Sequence, residues 1–224
     1  MEREEILGAI KRLQEEFSGR ELSGKVLQIH IGGTQRTGKT TLARTIGEVL
    51  RTIPVSPSRS ARMRVVEIDI DVTRTTIFKD NEPVIGSELQ SWMQICAMNA
   101  AIELQVPDIV MAGGIPILIA THSRKTSYPK AKAVSQKLDT RLTFILLKAP
   151  SFEEFVKRCA TTSDGDKSDM RDPLKNTQAL KIYQETVDRF NETYRDFTES
   201  HLVIQQGSVI DMARTALKFI LSGG

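Results

Sequence analysis

Cysteine is scarce in this chain: Cys96 and Cys159 are the only two among 224 residues. They stand far apart and form no CxxC pair, which excludes a disulfide framework and a zinc knuckle and suits a reducing cytoplasm. Histidine is equally thin, and His30, His122 and His201 have no partner spacing for a metal centre or a nucleophilic triad. Long apolar runs are missing as well. The longest, 110–120, is interrupted by Gly113, Gly114 and Pro116 and is too short to cross a bilayer. The opening stretch MEREEILGAIKRL is too acidic and too rich in charge for a secretory signal. A net charge of +3 with 26% charged residues lacks the concentrated basic footprint of a dedicated nucleic-acid binder. Neither a GxSxG elbow nor an N-K-x-D guanine signature occurs, and there are no internal repeats. A cytoplasmic protein without a membrane segment is expected.

What is present is a chain with 40% hydrophobic residues, enough for one compact domain with a small appendage. Ile6, Leu7, Ile10, Leu13 and Phe17 recur at helical spacing, so residues 1–22 read as an amphipathic N-terminal helix and its loop, appended to a domain over 23–224. Short apolar runs at 26–31, 64–70, 108–111, 141–147 and 202–204 predict five strands. Helical patterns separate them: one from Lys39 to about Arg51, one from Ser87 to about Gln105, part of 121–138, a helix capped by Ser151, a long one over 174–199, and a last one from Ser208 or Asp211. Ser87 and Gln90 read as a capping box, and Pro107 as the stop of the second helix. Trp92, Met93, Cys96 and Met98 on that helix read as core. Strands alternating with helices point to a parallel sheet covered on both faces, a three-layer α/β architecture.

The sequence Gly33-Thr34-Gln35-Arg36-Thr37-Gly38-Lys39-Thr40 meets every position of G-x-x-x-x-G-K-[ST], with a strand before it and a helix after it. Each residue type has a physical reason. The glycines let the backbone curl so that successive N–H groups face phosphate oxygens, and the helix start adds its positive dipole end. Lys39 supplies a charge to the β- and γ-phosphates, and the Thr40 hydroxyl suits Mg²⁺. Residues 33–41, ending in Thr41, are therefore the expected ATP site.

The second strand reads Val65-Val66-Glu67-Ile68-Asp69-Ile70-Asp71, then Val72-Thr73-Arg74. Strand alternation places Glu67, Asp69 and Asp71 on one face at the edge where open α/β sheets bind ligands. Three carboxylates there want cations. Asp71 is the candidate base for an acceptor hydroxyl, Asp69 a candidate metal and substrate residue, and Arg74 a candidate for acceptor phosphate. Gly113 and Gly114, placed after the third strand, would let an acceptor approach the backbone. Arg158 and Arg171 flank a polar segment, about 160–172, that reads as a mobile lid with two guanidinium groups for transition-state charge.

Taken together, GGTQRTGKTT, EIDIDVTR and FVKRCATTSDGDKSDMR resemble the P-loop kinases that include zeta toxins and polynucleotide 5′-hydroxyl kinases, over roughly residues 25–175. The resemblance implies a nucleotide-kinase-like P-loop fold and an ATP- and Mg²⁺-dependent transfer of phosphate to a hydroxyl. It matches Asp71 and Arg74 to the family's acceptor-activating D-x-x-[RK], and Arg158 and Arg171 to its lid arginines. It also implies an adenine site near Gln205-Gln206-Gly207-Ser208. The acceptors it implies are a nucleotide-sugar, a small molecule, or nucleic acid entering only as a 5′ end. The chain departs from the pattern in having no acidic residue at the end of its third strand and no His-Pro after the Asp segment. An ATPase switch, or a regulatory nucleotide binder whose N-terminal helix docks a protein partner, is the alternative expectation.

Overall fold

The computed structural model describes residues 3–22, 24–54, 64–79, 88–120, 127–160, 178–195 and 200–223. Its elements in chain order are α1 (Arg3–Glu16), β1 (Leu27–Gly33), α2 (Lys39–Leu50), β2 (Val65–Asp69), α3 (Ile70–Phe78) and α4 (Glu88–Ala100). A π-helical turn (Ala101–Gln105) then leads into α5 (Val106–Met111), followed by β3 (Ile115–Ala120), α6 (Ser127–Lys137) and β4 (Arg141–Leu147). The chain continues through α7 (Phe152–Ala160), α8 (Ala179–Arg195), β5 (His201–Ile204) and α9 (Val209–Leu221).

The five strands form one parallel sheet in the order β2-β3-β1-β4-β5. β1 lies at its centre, with Ile29 beside Ile117 on β3 and beside Thr143 on β4. Because neighbouring residues of a strand point to opposite faces, the sheet sorts its side chains into two cores. Ile29, Ile31, Ile117 and Ile145 face α1, α2 and α9, where Leu13, Phe17, Leu42, Ile46, Leu217 and Ile220 meet them. Leu118 and Ala120 face the other way, onto Ala97, Ile102 and Val106, while Phe144 and Leu146 pack on Phe190 of α8. Both faces are covered, as the expected three-layer α/β fold requires. Each fully buried Ile or Leu in these layers contributes about 1.5–3 kcal/mol relative to exposure.

Two proline positions change the expected boundaries. Pro107 does not stop the helix. The π turn resets the hydrogen-bond register, with the N–H of Val106 donating to the Ala101 carbonyl, and Pro107 falls in the first turn of α5, where its missing N–H is no loss. The third strand accordingly begins at Ile115, beyond Gly113-Gly114, and the segment 108–111 is helical instead of extended. Pro116 sits inside a central strand. The N–H of Ile115 bonds the Arg64 carbonyl on the β2 side, so the donor that Pro116 lacks would point to β1, where pairing begins only at Ile29 and Ile117. Trp92 is also not core. It lies 54% exposed against Phe78, while Met93 and Met98 of the same helix are buried. Ser87 lies outside the described residues, and so does its capping box.

Candidate functional site

β1 delivers Gly33 to the C-terminal edge of the sheet, paired beside Leu147. A side chain there would put its Cβ 2.7 Å from Thr37 Oγ1 and 3.2 Å from the Leu147 carbonyl oxygen, so only glycine fits. The loop then turns back on itself through two left-handed residues, Arg36 at φ 57° and Gly38 at φ 88°. Thr34 anchors the curl: its carbonyl accepts both the Thr37 hydroxyl at 2.9 Å and the Lys39 ammonium at 2.6 Å. α2 starts at Lys39 with no side chain capping its first N–H groups and no acidic residue in its first turn. Those donors and the dipole end are left for an anion.

The electrostatics agree. Burial depresses Lys39 from an ordinary lysine pKa of 10.5 to about 8, and the nearby Asp71 and Asp69 carboxylates only partly offset it. An ammonium held short of countercharge is completed by phosphate. Thr34 Oγ1 is also buried with no hydrogen-bond partner. An uncapped helix start, a charge-deficient lysine and converging amides fit a polyphosphate tail. Thr40 is exposed and Thr41 half-buried beside it, at the first turn of α2. Among the described residues, no group of three or more His, Cys, Asp or Glu side chains is placed to hold a metal. A metal here would come with the nucleotide, and the Thr40 hydroxyl and the Asp69 carboxylate are hard oxygen donors suited to Mg²⁺.

The acidic segment is arranged differently from a strand with three carboxylates on one face. β2 ends at Asp69, and Asp71 belongs to the first turn of α3. Asp69 caps that helix, its Oδ1 accepting the Asp71 N–H at 2.9 Å. Glu67 is drawn away to Arg51, 3.3 Å off, on the α2 face of the sheet. Two carboxylates, not three, face Lys39. Asp71 remains exposed and its Oδ1 accepts the Gln94 amide of α4 at 3.2 Å. Arg74 lies one turn further along α3, half-buried, with its Nε making no hydrogen bond.

The other expected site residues fall elsewhere. Gly113 and Gly114 precede β3 and therefore lie at the opposite edge of the sheet from the phosphate loop. There they make a tight turn, Gly113 at φ 78° and the Gly114 N–H bonding the Ile109 carbonyl, so they do not border the loop where an acceptor would react. Arg158 lies on α7, and its Nη1 donates to the Arg36 carbonyl at 3.0 Å and to Gln206 Oε1 at 2.8 Å, with its Nε on Glu154 at 2.8 Å. It braces the outer flank of the loop against the segment after β5. Arg171 and the greater part of the lid segment lie outside the described residues.

Sequence reasoning missed Gln94 and the wall opposite the loop. Thr34 and Gln35 line a cleft whose far side is Phe155 of α7 and Ile182, Tyr183 and Thr186 of α8. The Phe155 and Tyr183 rings stand 4.8 Å apart, and the Tyr183 hydroxyl donates to the Pro150 carbonyl. The sequence signal was an aromatic pair, Phe152 and Phe155, on one helix face, but its partner Tyr183 lies 28 residues beyond Phe155.

No protein-family model matches the chain, and no curated protein matches it. Solved structures do. The crystal structure of APE1195 is similar with a TM-score of 0.54 at 14% identity, over 90% of this chain and 97% of that one. A Deinococcus radiodurans tunicamycin resistance protein is similar with a TM-score of 0.52 at 16% identity, over 87% of this chain and 95% of its own. A mutant of the Mycobacterium tuberculosis APS kinase follows with a TM-score of 0.48 at 11% identity, over 88% and 99%. At these identities the likeness is one of fold.

Proposed function

We propose that the chain is an ATP-dependent phosphotransferase that moves the γ-phosphoryl group to a hydroxyl of an acceptor, in the manner the zeta-toxin and polynucleotide-kinase resemblance implies. The observation that carries the reading is the meeting of a charge-deficient lysine on a phosphate-shaped loop with two carboxylates, one of them exposed. A nucleotide-binding loop alone needs no such carboxylate. A base beside the γ-phosphate does.

In this reading Lys39 and the amides of residues 33–41 hold the β- and γ-phosphates in line. Thr40 and Asp69 would hold Mg²⁺, which supplies charge neutralisation on the phosphate oxygens. Asp71, steadied by Gln94, takes the proton from the acceptor O–H. The freed oxygen forms its bond to the γ-phosphorus while the bond to the β–γ bridging oxygen breaks, and ADP leaves. Arg74 orients the acceptor, and Arg158 holds the loop against the segment carrying Gln206, where the base of the nucleotide would rest. No helix among the described residues is long and apolar enough to cross a membrane, and a cytoplasmic setting is part of the proposal.

The test is acceptor-dependent ADP formation. Asp71→Asn should lower it about 10²- to 10⁴-fold, the range of a positioned base, while leaving nucleotide affinity within a factor of two or so. Intact turnover in that variant would remove Asp71 from the chemistry. One observation favours a second reading, an ATPase switch: β3, IPILIA, ends without a carboxylate. Steady hydrolysis without acceptor, indifferent to Asp71→Asn and abolished by Lys39→Ala, would establish that reading instead.

A further inference from the structure

The phosphate loop is held from its outer flank by a relay of groups that begins two strands away, at β5. There the N–H of Lys148, just after β4, donates to the Ile204 carbonyl at 3.0 Å. The Lys148 carbonyl accepts the Gln206 amide Nε2, and Gln206 Oε1 accepts Arg158 Nη1 at 2.8 Å. The same Nη1 donates to the Arg36 carbonyl at 3.0 Å, while Glu154 holds Arg158 Nε at 2.8 Å. The partners fix which way the Gln206 amide is turned, because a guanidinium only donates and a carbonyl only accepts. Both ends of that side chain are spent inside the protein. Ser208 is spent as well, accepting the Asp211 N–H as the cap of α9. The relay ends on a demanding residue. Arg36 is not glycine, yet it stands at φ 57°, a conformation that its surroundings must impose. A trans peptide points its C=O and N–H in opposite directions. Tying the Arg36 oxygen to Arg158 therefore turns the Thr37 N–H away from α7, toward the inner side of the curl.

We propose that Gln206 is a positioning residue for the triphosphate: it holds Arg158, and through Arg158 the Arg36 peptide, in the orientation that receives phosphate, and it does not read the base. The inference rests on the phosphotransferase reading. That reading sets the γ-phosphate toward Asp69 and Asp71, which follow β2, and so sends the nucleoside end to the β4–β5 side of the loop, where Gln206 lies. A glutamine in that place invites the role of base reader. Reading a base takes a free donor or acceptor, however, and a swing toward one would strip a partner from both Arg158 and the Lys148 carbonyl. The tie to Arg158 is the stronger claim on the side chain, because its donor is charged. Gln206 thus raises affinity for whatever carries the triphosphate, whichever base is attached.

The experiment is calorimetric titration of the full chain, in Mg²⁺, with inorganic tripolyphosphate and with non-hydrolysable analogues of ATP and of GTP. Gln206→Met keeps the length of the side chain and loses both hydrogen bonds. It should weaken all three ligands by a common factor of about three- to ten-fold, the worth of one or two such bonds. Gln206→Ala, which opens space where methionine fills it, should repeat the pattern, with the ATP-to-GTP ratio within about two-fold of the unaltered chain in both variants. In an Arg158→Met background the Gln206→Met change should add less than about two-fold, because the two residues act in series. Tripolyphosphate affinity unchanged in both variants would overturn the proposal. Unequal losses for the two nucleotide analogues, with tripolyphosphate spared, would overturn it by making Gln206 a base reader. A full additional loss in the Arg158→Met background would overturn the route through Arg158. If the unaltered chain holds none of the three ligands, the phosphate-loop reading falls and this inference with it; if it holds them and the variants match it, only the role of Gln206 falls.

Discussion

The phosphate loop and the carboxylate cluster do adjacent jobs with opposite means. The loop is made of backbone. Its shape comes from Gly33, which tolerates no Cβ, from Arg36 and Gly38 at positive φ, and from two donors converging on the Thr34 carbonyl. The carboxylate cluster is made of side chains from separate elements: Asp69 from the end of β2, Asp71 from α3 and Gln94 from α4, 23 residues further on. A site made of backbone is preorganised and spoiled by adding atoms. A site made of side chains stays adjustable and is spoiled by removing them. The molecule thus fixes what every nucleotide shares and leaves adjustable what an acceptor varies.

The largest effect should come from removing the one side chain on which both halves depend. Lys39→Ala takes the charge from the loop, and truncating a buried, hydrogen-bonded charge partner costs roughly 2–5 kcal/mol of binding. Titration with Mg²⁺-ATP analogue should show a loss of about thirty-fold or more. Thermal unfolding of the free protein should not drop, because the half-buried ammonium is short of countercharge and its removal relieves a dehydration cost. A lower melting temperature would mean that Lys39 is a structural brace. Next comes Gly38→Ala. At φ 88° an alanine pays about 1–2 kcal/mol in left-handed strain, which should appear in the urea midpoint and in nucleotide affinity. Gly8→Ala on α1, where nothing lies within 4 Å and φ is not positive, is the control and should leave nucleotide affinity unchanged.

The pH response sharpens the same contrast. Lys39 is depressed to about 8 in the free protein, below its unfolded value of 10.5. Between those two values the unfolded chain binds more protons than the native one, so this group's contribution to stability rises with pH across that window. Affinity for phosphate goes the other way. Above pH 8 the amine must regain a proton to bind, so log Kd should rise with a slope approaching one per pH unit, with proton uptake visible as a dependence of calorimetric heat on buffer ionisation. A flat profile from pH 7.5 to 9.5 would show that the loop binds phosphate without the lysine charge.

The same local-versus-assembled distinction explains what was legible in the sequence. The loop of 33–40 and β4 at Arg141–Leu147 were readable because each is specified by a contiguous pattern, a glycine–lysine spacing or an apolar run. The sequence places β3 too early because Pro107 reads as a helix stop and Pro116, with Gly113 and Gly114, as an interruption of the apolar run 110–120. Both prolines are tolerated only through tertiary arrangements, the π turn at Ala101–Gln105 and the late start of pairing with β1. For that reason the sequence alone puts Gly113 and Gly114 at the wrong edge of the sheet. Asp71 was picked out as the candidate base, but as a strand residue. The turn into α3 depends on Asp69 acting as a cap, a role that a carboxylate two residues from another does not announce. Gln94 and Tyr183 carried no signal, since their partners are distant along the chain.

Gln94 provides the smallest and most discriminating effect. Its amide donates to Asp71 Oδ1 at 3.2 Å, on the exposed side of the site. It is a positioning residue. Gln94→Ala loses one hydrogen bond to a charged acceptor, worth about 1.5–3 kcal/mol at most and less where water replaces the donor. Acceptor-dependent kcat should therefore fall a few-fold, with nucleotide affinity unaltered and the melting temperature within a degree or two. Gln94→Glu is the stronger discriminator. It keeps length and shape but sets a second carboxylate beside Asp71, so like-charge repulsion displaces the base as well as releasing it. If Asp71 acts only by its charge near Lys39, both variants leave kcat unchanged. If it must point at a particular acceptor atom, glutamate is worse than alanine and Gln94→Asn restores part of the loss.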